Sequence, residues 1–240
     1  MNSNNATLIA GDSFIFALSP AESPDIDSNK YVISGSPGAG NQSIAAAVLH
    51  ECSKTSYKKV IVVWSGIKRL DFPIGKRLHD TFPKDKNGKN LYPYYKQLDD
   101  VVWYHSGGFG MSGMSNTCPA ILRDWFDKQY LSSDDNYLTT LSLQSIVQTQ
   151  SFLQANHIPF KMSFIYDVDA DYSDTSINRS CGQIVRSNCL NTLIDWNNFA
   201  SVTPYEYSKN LNQISQDGFH PETKSLINWF NTYMDINLLD

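Results

Sequence analysis

Hydrophobic and polar positions alternate along this chain in two different rhythms. Unbroken or nearly unbroken apolar runs of about five residues occur at Ala6-Thr7-Leu8-Ile9-Ala10, at Val60-Ile61-Val62-Val63-Trp64 and from Phe160 to Tyr166. Runs this short, rich in β-branched residues and ended by glycine or polar residues, predict strands buried on both faces of a parallel sheet. A briefer strand is expected at Lys30 to Ser34. Between the strands the spacing changes to the three-to-four repeat of helices. Gln42 to Glu51 carries Ile44, Val48 and intervening alanines on one side. Tyr137 to Asn156 does the same with Leu138, Leu141, Ile146, Val147, Phe152 and Leu153, and Pro159 closes it. A last helix is expected after Pro221, with Leu226, Ile227, Trp229, Phe230 and Met234 inward and Pro221 in its first turn. Strand-helix alternation of this kind predicts an α/β fold.

The rhythm fades between about residues 67 and 135, where Gly, Pro, Lys, Tyr and Asp dominate. So long a connection suggests a lid or recognition insert. Its Tyr92, Tyr94, Tyr95, Trp103 and Tyr104 suit either a groove for sugar or peptide or packing of the insert onto the body. Within it, Gly108-Phe109-Gly110-Met111-Ser112-Gly113 follows a possible strand, Val101 to His105. It matches a dinucleotide-binding spacing in letters, yet no strand-end acid follows it, so it reads as a glycine loop. Asp167, Asp169, Asp171 and Asp174 alternate like a calcium loop. Tyr172 stands where glycine is needed and Asn178 where glutamate is needed, so a solvated loop is expected.

At 240 residues, 41% hydrophobic, the chain is long enough for one large α/β domain over residues 1–240. A net charge of -5 gives no general attraction to phosphate backbones or anionic lipid, which argues against nucleic-acid and membrane partners. The first residues are uncharged and their apolar run is too short for a signal-peptide core, and no run approaches the ~18 apolar residues of a spanning helix. A soluble protein is expected, cytoplasmic where synthesised. Cys52, Cys118, Cys181 and Cys189 are few and scattered, fitting reduced thiols, although Cys181 and Cys189 are close enough in sequence to pair. His50, His79, His105 and His157 lack metal-ligand spacing and read as surface or packing residues; no metal or other cofactor is expected.

Chemistry-bearing residues stand near the two ends. Gly11-Asp12-Ser13 follows the first strand, placing Ser13 at the carboxyl edge where open α/β sheets bind ligands. The same triplet also suits a turn in which Asp12 or Ser13 caps the next helix. Asp217-Gly218-Phe219-His220-Pro221 puts an acid and an imidazole three residues apart before the last helix. Together they supply nucleophile, base and orienting acid. The small-residue turn Gly35 to Asn41 precedes a helix, where backbone N–H groups can face a negative oxygen.

In this order the blocks resemble the SGNH (GDSL-type) hydrolase superfamily, some divergent members of which bacteriophages encode. Gly11-Asp12-Ser13 and Asp217-Gly218-Phe219-His220-Pro221 match its first and last blocks, and Pro37-Gly38-Ala39-Gly40-Asn41 resembles its second. The resemblance implies a three-layer flavodoxin-like domain with a parallel five-stranded sheet, here with a long insert after the third strand. It implies a Ser13-His220-Asp217 triad, with the N–H groups of Ser13 and Gly38 as oxyanion donors. The third block departs: Trp64-Ser65-Gly66-Ile67-Lys68-Arg69 offers no asparagine, leaving Ser65, Arg69 or Asn41 as a replacement donor. Loss of one such donor costs about 10²- to 10³-fold in rate. The expected activity is hydrolysis of small, acetyl-like carboxylic esters, on carbohydrate if the insert's tyrosines bind sugar, rising with pH through about 6 to 7.5 as the base becomes neutral. Acyl transfer is a variant. The alternative is a weakly active or inactive glycan-binding or virion structural module on the same fold.

Overall fold

A computed structural model describes residues 5–67, 69–87, 95–105, 122, 124, 128, 134–168 and 182–239. Tyr92, Tyr94, the Gly108–Gly113 loop, Cys118, Asp169, Asp171, Asp174 and Cys181 lie outside these residues.

The chain begins with β1 (Thr7–Gly11) and a single helical turn, α1 (Ser13–Phe16), followed by β2 (Tyr31–Gly35), α2 (Asn41–Lys54) and β3 (Lys59–Trp64). The insert contributes β4 (Asp71–Gly75), α3 (Lys76–His79), β5 (Tyr95–Leu98) and β6 (Val101–His105). Then come α4 (Asp135–Ala155), β7 (Phe160–Phe164), α5 (Gly182–Ser187), α6 (Pro204–Asn210) and α7 (Thr223–Tyr233). Pro221 precedes Glu222, the residue capping α7, instead of lying in its first turn; it pairs with Ile214 in an isolated antiparallel bridge.

The central sheet is parallel, in the order β2-β1-β3-β7. Among the described residues it has four strands, not the five expected. At its β7 edge Phe199 adds only an isolated parallel bridge to Met162, with the Ala200 N–H on the Met162 carbonyl at 2.8 Å. Alternate residues of each strand enter different cores, as the period of two requires. Leu8, Ala10, Val60, Val62, Trp64 and Met162 meet Ile44 and Val48 of α2 and Leu143, Ile146 and Leu153 of α4. Ile9, Ile61 and Val63 meet Phe14 and Ile15 of α1 and Leu226, Trp229 and Phe230 of α7. Helices therefore cover both faces, and β1, enclosed on every side, fixes where its carboxyl end opens.

The insert is more regular than its composition suggests. It forms a three-stranded antiparallel sheet, β4-β6-β5, with Asp71 directly opposite His105. Pro73 is tolerated because β4 is an edge strand. Tyr104 is buried in a core with Phe72, Phe82, Val102 and Leu138, Tyr95 packs against it, and the Tyr104 hydroxyl bonds His79 Nδ1 at 3.0 Å. Of the insert aromatics expected to line a groove or pack, Tyr95 and Tyr104 therefore pack. Cys52 and Cys189 are free thiols, and burial pushes the Cys52 thiol up to about 12. No helix among the described residues is long and apolar enough to cross a membrane.

Candidate active site

Gly11 ends β1, and the backbone turns at once into α1. Asp12 caps that turn by accepting the Phe14 N–H at 3.0 Å, which places Ser13 at the first helical position. The turn sits close on the sheet edge: a Cβ on Gly35 would lie 2.2 Å from the Phe16 nitrogen. Asp12, fully buried, also accepts from the Ser65 hydroxyl at 3.2 Å and from Arg69 Nη1 at 2.9 Å. Asp12 thus caps the turn, as its place in the sequence allows, and is itself held from behind by Ser65 and Arg69.

The loop before α7 brings the partner groups. The His220 ring lies with Nε2 2.8 Å from Ser13 Oγ, across 207 positions of sequence, and Nδ1 2.5 Å from Asp217 Oδ2. With Nδ1 protonated toward the carboxylate, Nε2 accepts the Ser13 hydroxyl proton, the arrangement a general base requires. The other Asp217 oxygen accepts from the Ser215 hydroxyl (2.6 Å) and from the N–H groups of Phe219 (2.8 Å) and His220 (3.0 Å). Partial burial pushes the Asp217 carboxyl up, but these bonds, from Ser215 first, together with that of the His220 ring, outweigh it. They hold the group well below the usual carboxylate range. Gly218 adopts φ +76°, the left-handed conformation that closes this four-residue loop. Phe14 packs on the imidazole, ring centroids 5.3 Å apart.

Gly38 lies in the loop from β2 to α2 with φ +75°. The loop is registered on β1 by the Ser36 N–H, which donates to the Gly11 carbonyl at 3.2 Å. Among the described residues neither the Ser13 nor the Gly38 N–H has an acceptor. Of the three replacement donors considered, two are committed elsewhere. The Asn41 side chain, buried, donates to Ser142 Oγ at 3.1 Å and accepts from the Ser65 N–H at 2.8 Å; the Ser65 hydroxyl is held by Asp12. Both are buried at the start of α2 and the end of β3, a placement that the sequence does not display. Arg69 Nη1 bridges Asp12 Oδ2 and the Ala39 carbonyl (3.1 Å), while its buried Nε has no partner.

The sequence reading left two features undetected. One is a second Ser-His-Asp set, Ser36, His105 and Asp71, wholly inside the protein; His105, expected as a surface or packing residue, is instead a buried hydrogen-bonding hub. Only the placement of His105 at the end of a possible strand hinted at it. The other is a cavity of about 330 Å³ past the end of β7, lined by Tyr166, Trp196, Phe199, Asp167, Glu206 and Asn210 among others. Burial pushes the Glu206 carboxyl up to about 7, despite the Asp167 N–H that it accepts. Tyr166 joins cavity to triad: its ring packs on Phe14 at 5.8 Å, and burial, then Asp12 and more weakly Asp217, push its phenol up.

Comparison with protein-family models gives no match, and comparison with curated protein sequences gives none either.

Proposed function

We propose that the protein is a serine hydrolase of the SGNH type that cleaves small carboxylic esters. The observation carrying this reading is the continuous relay from Ser13 Oγ through the His220 ring to Asp217, at 2.8 and 2.5 Å. His220 Nε2 takes the hydroxyl proton as Ser13 Oγ attacks the ester carbonyl. Asp217, ionised throughout the working range, holds Nδ1 protonated. The N–H groups of Ser13 and Gly38 receive the oxyanion. His220 then returns the proton to the leaving alcohol, and water releases the acid by the same steps in reverse. The strand order 2-1-3 followed by β7, with helices on both faces, supports the flavodoxin-like class, the Phe199 bridge standing where a fifth strand would lie.

For the substrate, the proposal is an acyl group on a carbohydrate. Its support moves from the insert to the cavity beside Tyr166. That cavity is at the small end of the range for ligand sites, and pairs aromatic faces with carboxyl and amide groups as a sugar ring's faces and hydroxyls require. The competing reading is a glycan-binding module without turnover. The commitment of Asn41 and Ser65 to the interior favours it, since the oxyanion site then rests on two backbone donors.

The test is a panel of short-chain aryl esters and acetylated sugars given to wild type and Ser13→Ala, with fluorophosphonate labelling alongside. Turnover and labelling by wild type, both lost in Ser13→Ala with a drop of at least about 10⁴-fold, are expected. Equal labelling of the two proteins sinks the assignment. Sugar binding without release of acetate supports the module instead.

A further inference from the structure

Behind the Gly38 loop, Asp71 and His105 face each other across the β4-β6 ladder of the insert sheet. Asp71 Oδ1 accepts the Gly40 N–H at 2.9 Å and His105 Nδ1 at 3.2 Å, and Oδ2 accepts the Ser43 N–H at 3.0 Å. With Nδ1 donating to the carboxylate, the opposite nitrogen, Nε2, accepts the Ser36 hydroxyl at 3.0 Å. The donor order is that of the outer triad. Substrate cannot reach it, since Ser36 is 6% exposed, His105 1% and Asp71 3%. Capping α2 accounts for the bonds from Gly40 and Ser43. It does not account for an imidazole from a different sheet reaching back to Ser36.

These bonds share one target. Ser36 and Gly40 are the two ends of the loop that carries Gly38 at its centre, and Asp71 with His105 grips both. A third grip comes two residues before Asp71. Arg69 Nη1 binds Asp12, which precedes the nucleophile, and the carbonyl of Ala39, which follows Gly38. Lys96 of β5 adds a fourth tie, donating to Ser34 Oγ at 2.6 Å near the end of β2. There is no slack in this packing: a Cβ on Gly40 would lie 2.7 Å from Asp71 Oδ2.

We infer that Asp71, His105 and Ser36 form a positioning relay by which the insert sheet holds the Gly38 amide in register with Ser13. The inference rests on the ester-hydrolase reading. With no asparagine to add a donor, two backbone N–H groups carry the oxyanion, and their placement must be held from behind. A support far from the chemistry matters because a displacement of about 1 Å at a reacting group costs on the order of 100-fold in rate.

The experiment compares Ser36→Ala and His105→Gln with wild type in two measurements: kcat and KM on a short-chain aryl ester, and amide hydrogen exchange of the peptide spanning residues 36–41. Ser36→Ala removes one hydroxyl and leaves the Asp71-His105 bond and the capping of α2 in place, so it is the variant expected to fold. Loop exchange should become at least about tenfold faster, and kcat should fall about 10- to 100-fold. KM should stay within about twofold and the acid limb of the pH-rate profile should stay in place, because neither the substrate cavity nor His220 is touched. Unchanged loop exchange in both variants overturns the inference, as does faster exchange with kcat intact. If wild type turns over no ester, the hydrolase reading fails on its own. The exchange measurement then still decides whether His105 and Ser36 hold the loop.

Discussion

The outer and inner relays use the same three residue types with the same donors and acceptors, yet their surroundings are opposite. In the outer one the His220 and Asp217 side chains are 35% and 48% exposed and three positions apart on one loop. In the inner one His105 and Asp71 are wholly buried, are 34 positions apart, and meet only because β4 and β6 pair. In the proposed reaction the outer imidazole trades protons with substrate and water each cycle and so has to reach solvent; the inner one, which never meets water, is suited to serve as a fixed strut. Access, not residue type, is what distinguishes the two relays on the proposed reading.

That contrast predicts opposite signatures for equivalent changes. The largest effect is expected for Asp217→Asn. It should lower kcat about 10⁴-fold by spoiling the His220 tautomer while leaving the unfolding midpoint near that of wild type. Next is Asp71→Ala, which strands the Gly40 and Ser43 N–H groups in the interior and leaves His105 Nδ1 only the longer contact with Ser43 Oγ. It should cost about 3–5 kcal/mol and lower Tm by about 10 °C, read by thermal unfolding. A comparable Tm loss in Asp217→Asn would erase the distinction.

The smallest effect sharpens it. Ser215→Ala removes a donor from Asp217 and should raise that carboxyl back toward its ordinary value. Because the folded value lies below the unfolded one, the bonds stabilise the protein above about pH 4, and that contribution is lost as pH falls through the folded value. Ser215→Ala should therefore cost under about 1 kcal/mol at neutral pH, water already solvating half of the carboxylate, and nothing in strong acid. A loss that persists unchanged at acid pH would point to packing instead of charge.

Much of the central sheet could be read directly because each of β1, β3 and β7 is a short apolar run and α2, α4 and α7 show helical spacing. The meeting of Ser13, Asp217 and His220 was legible for a related reason: each stands in a short block whose neighbours within three residues mark it. The insert sheet was not, since β4 contains Pro73 and β5 carries Lys96 and Gln97, so neither shows a strand's apolar rhythm. Nor was the inner relay. Ser36, Asp71 and His105 stand about 35 residues apart, and only strand pairing reveals that they touch. Among the described residues the chain beside β7 makes no fifth strand: Asp195 and Asn188 cap short 3-10 turns around Trp196 and Cys189, and Phe199 makes only an isolated bridge to Met162. The interior partners of Asn41 and Ser65 were not legible either, because facing direction at a helix start depends on what packs there, here Ser142 of α4.

Ser13 and His220, 207 positions apart, also set a schedule. During synthesis Ser13 is added 207 positions before His220, whose ring bonds its hydroxyl. Under the proposed hydrolase reading, the hydroxyl of a nascent chain therefore lacks its base, and ester cleavage is expected only after translation has passed the loop before α7 and that helix has docked.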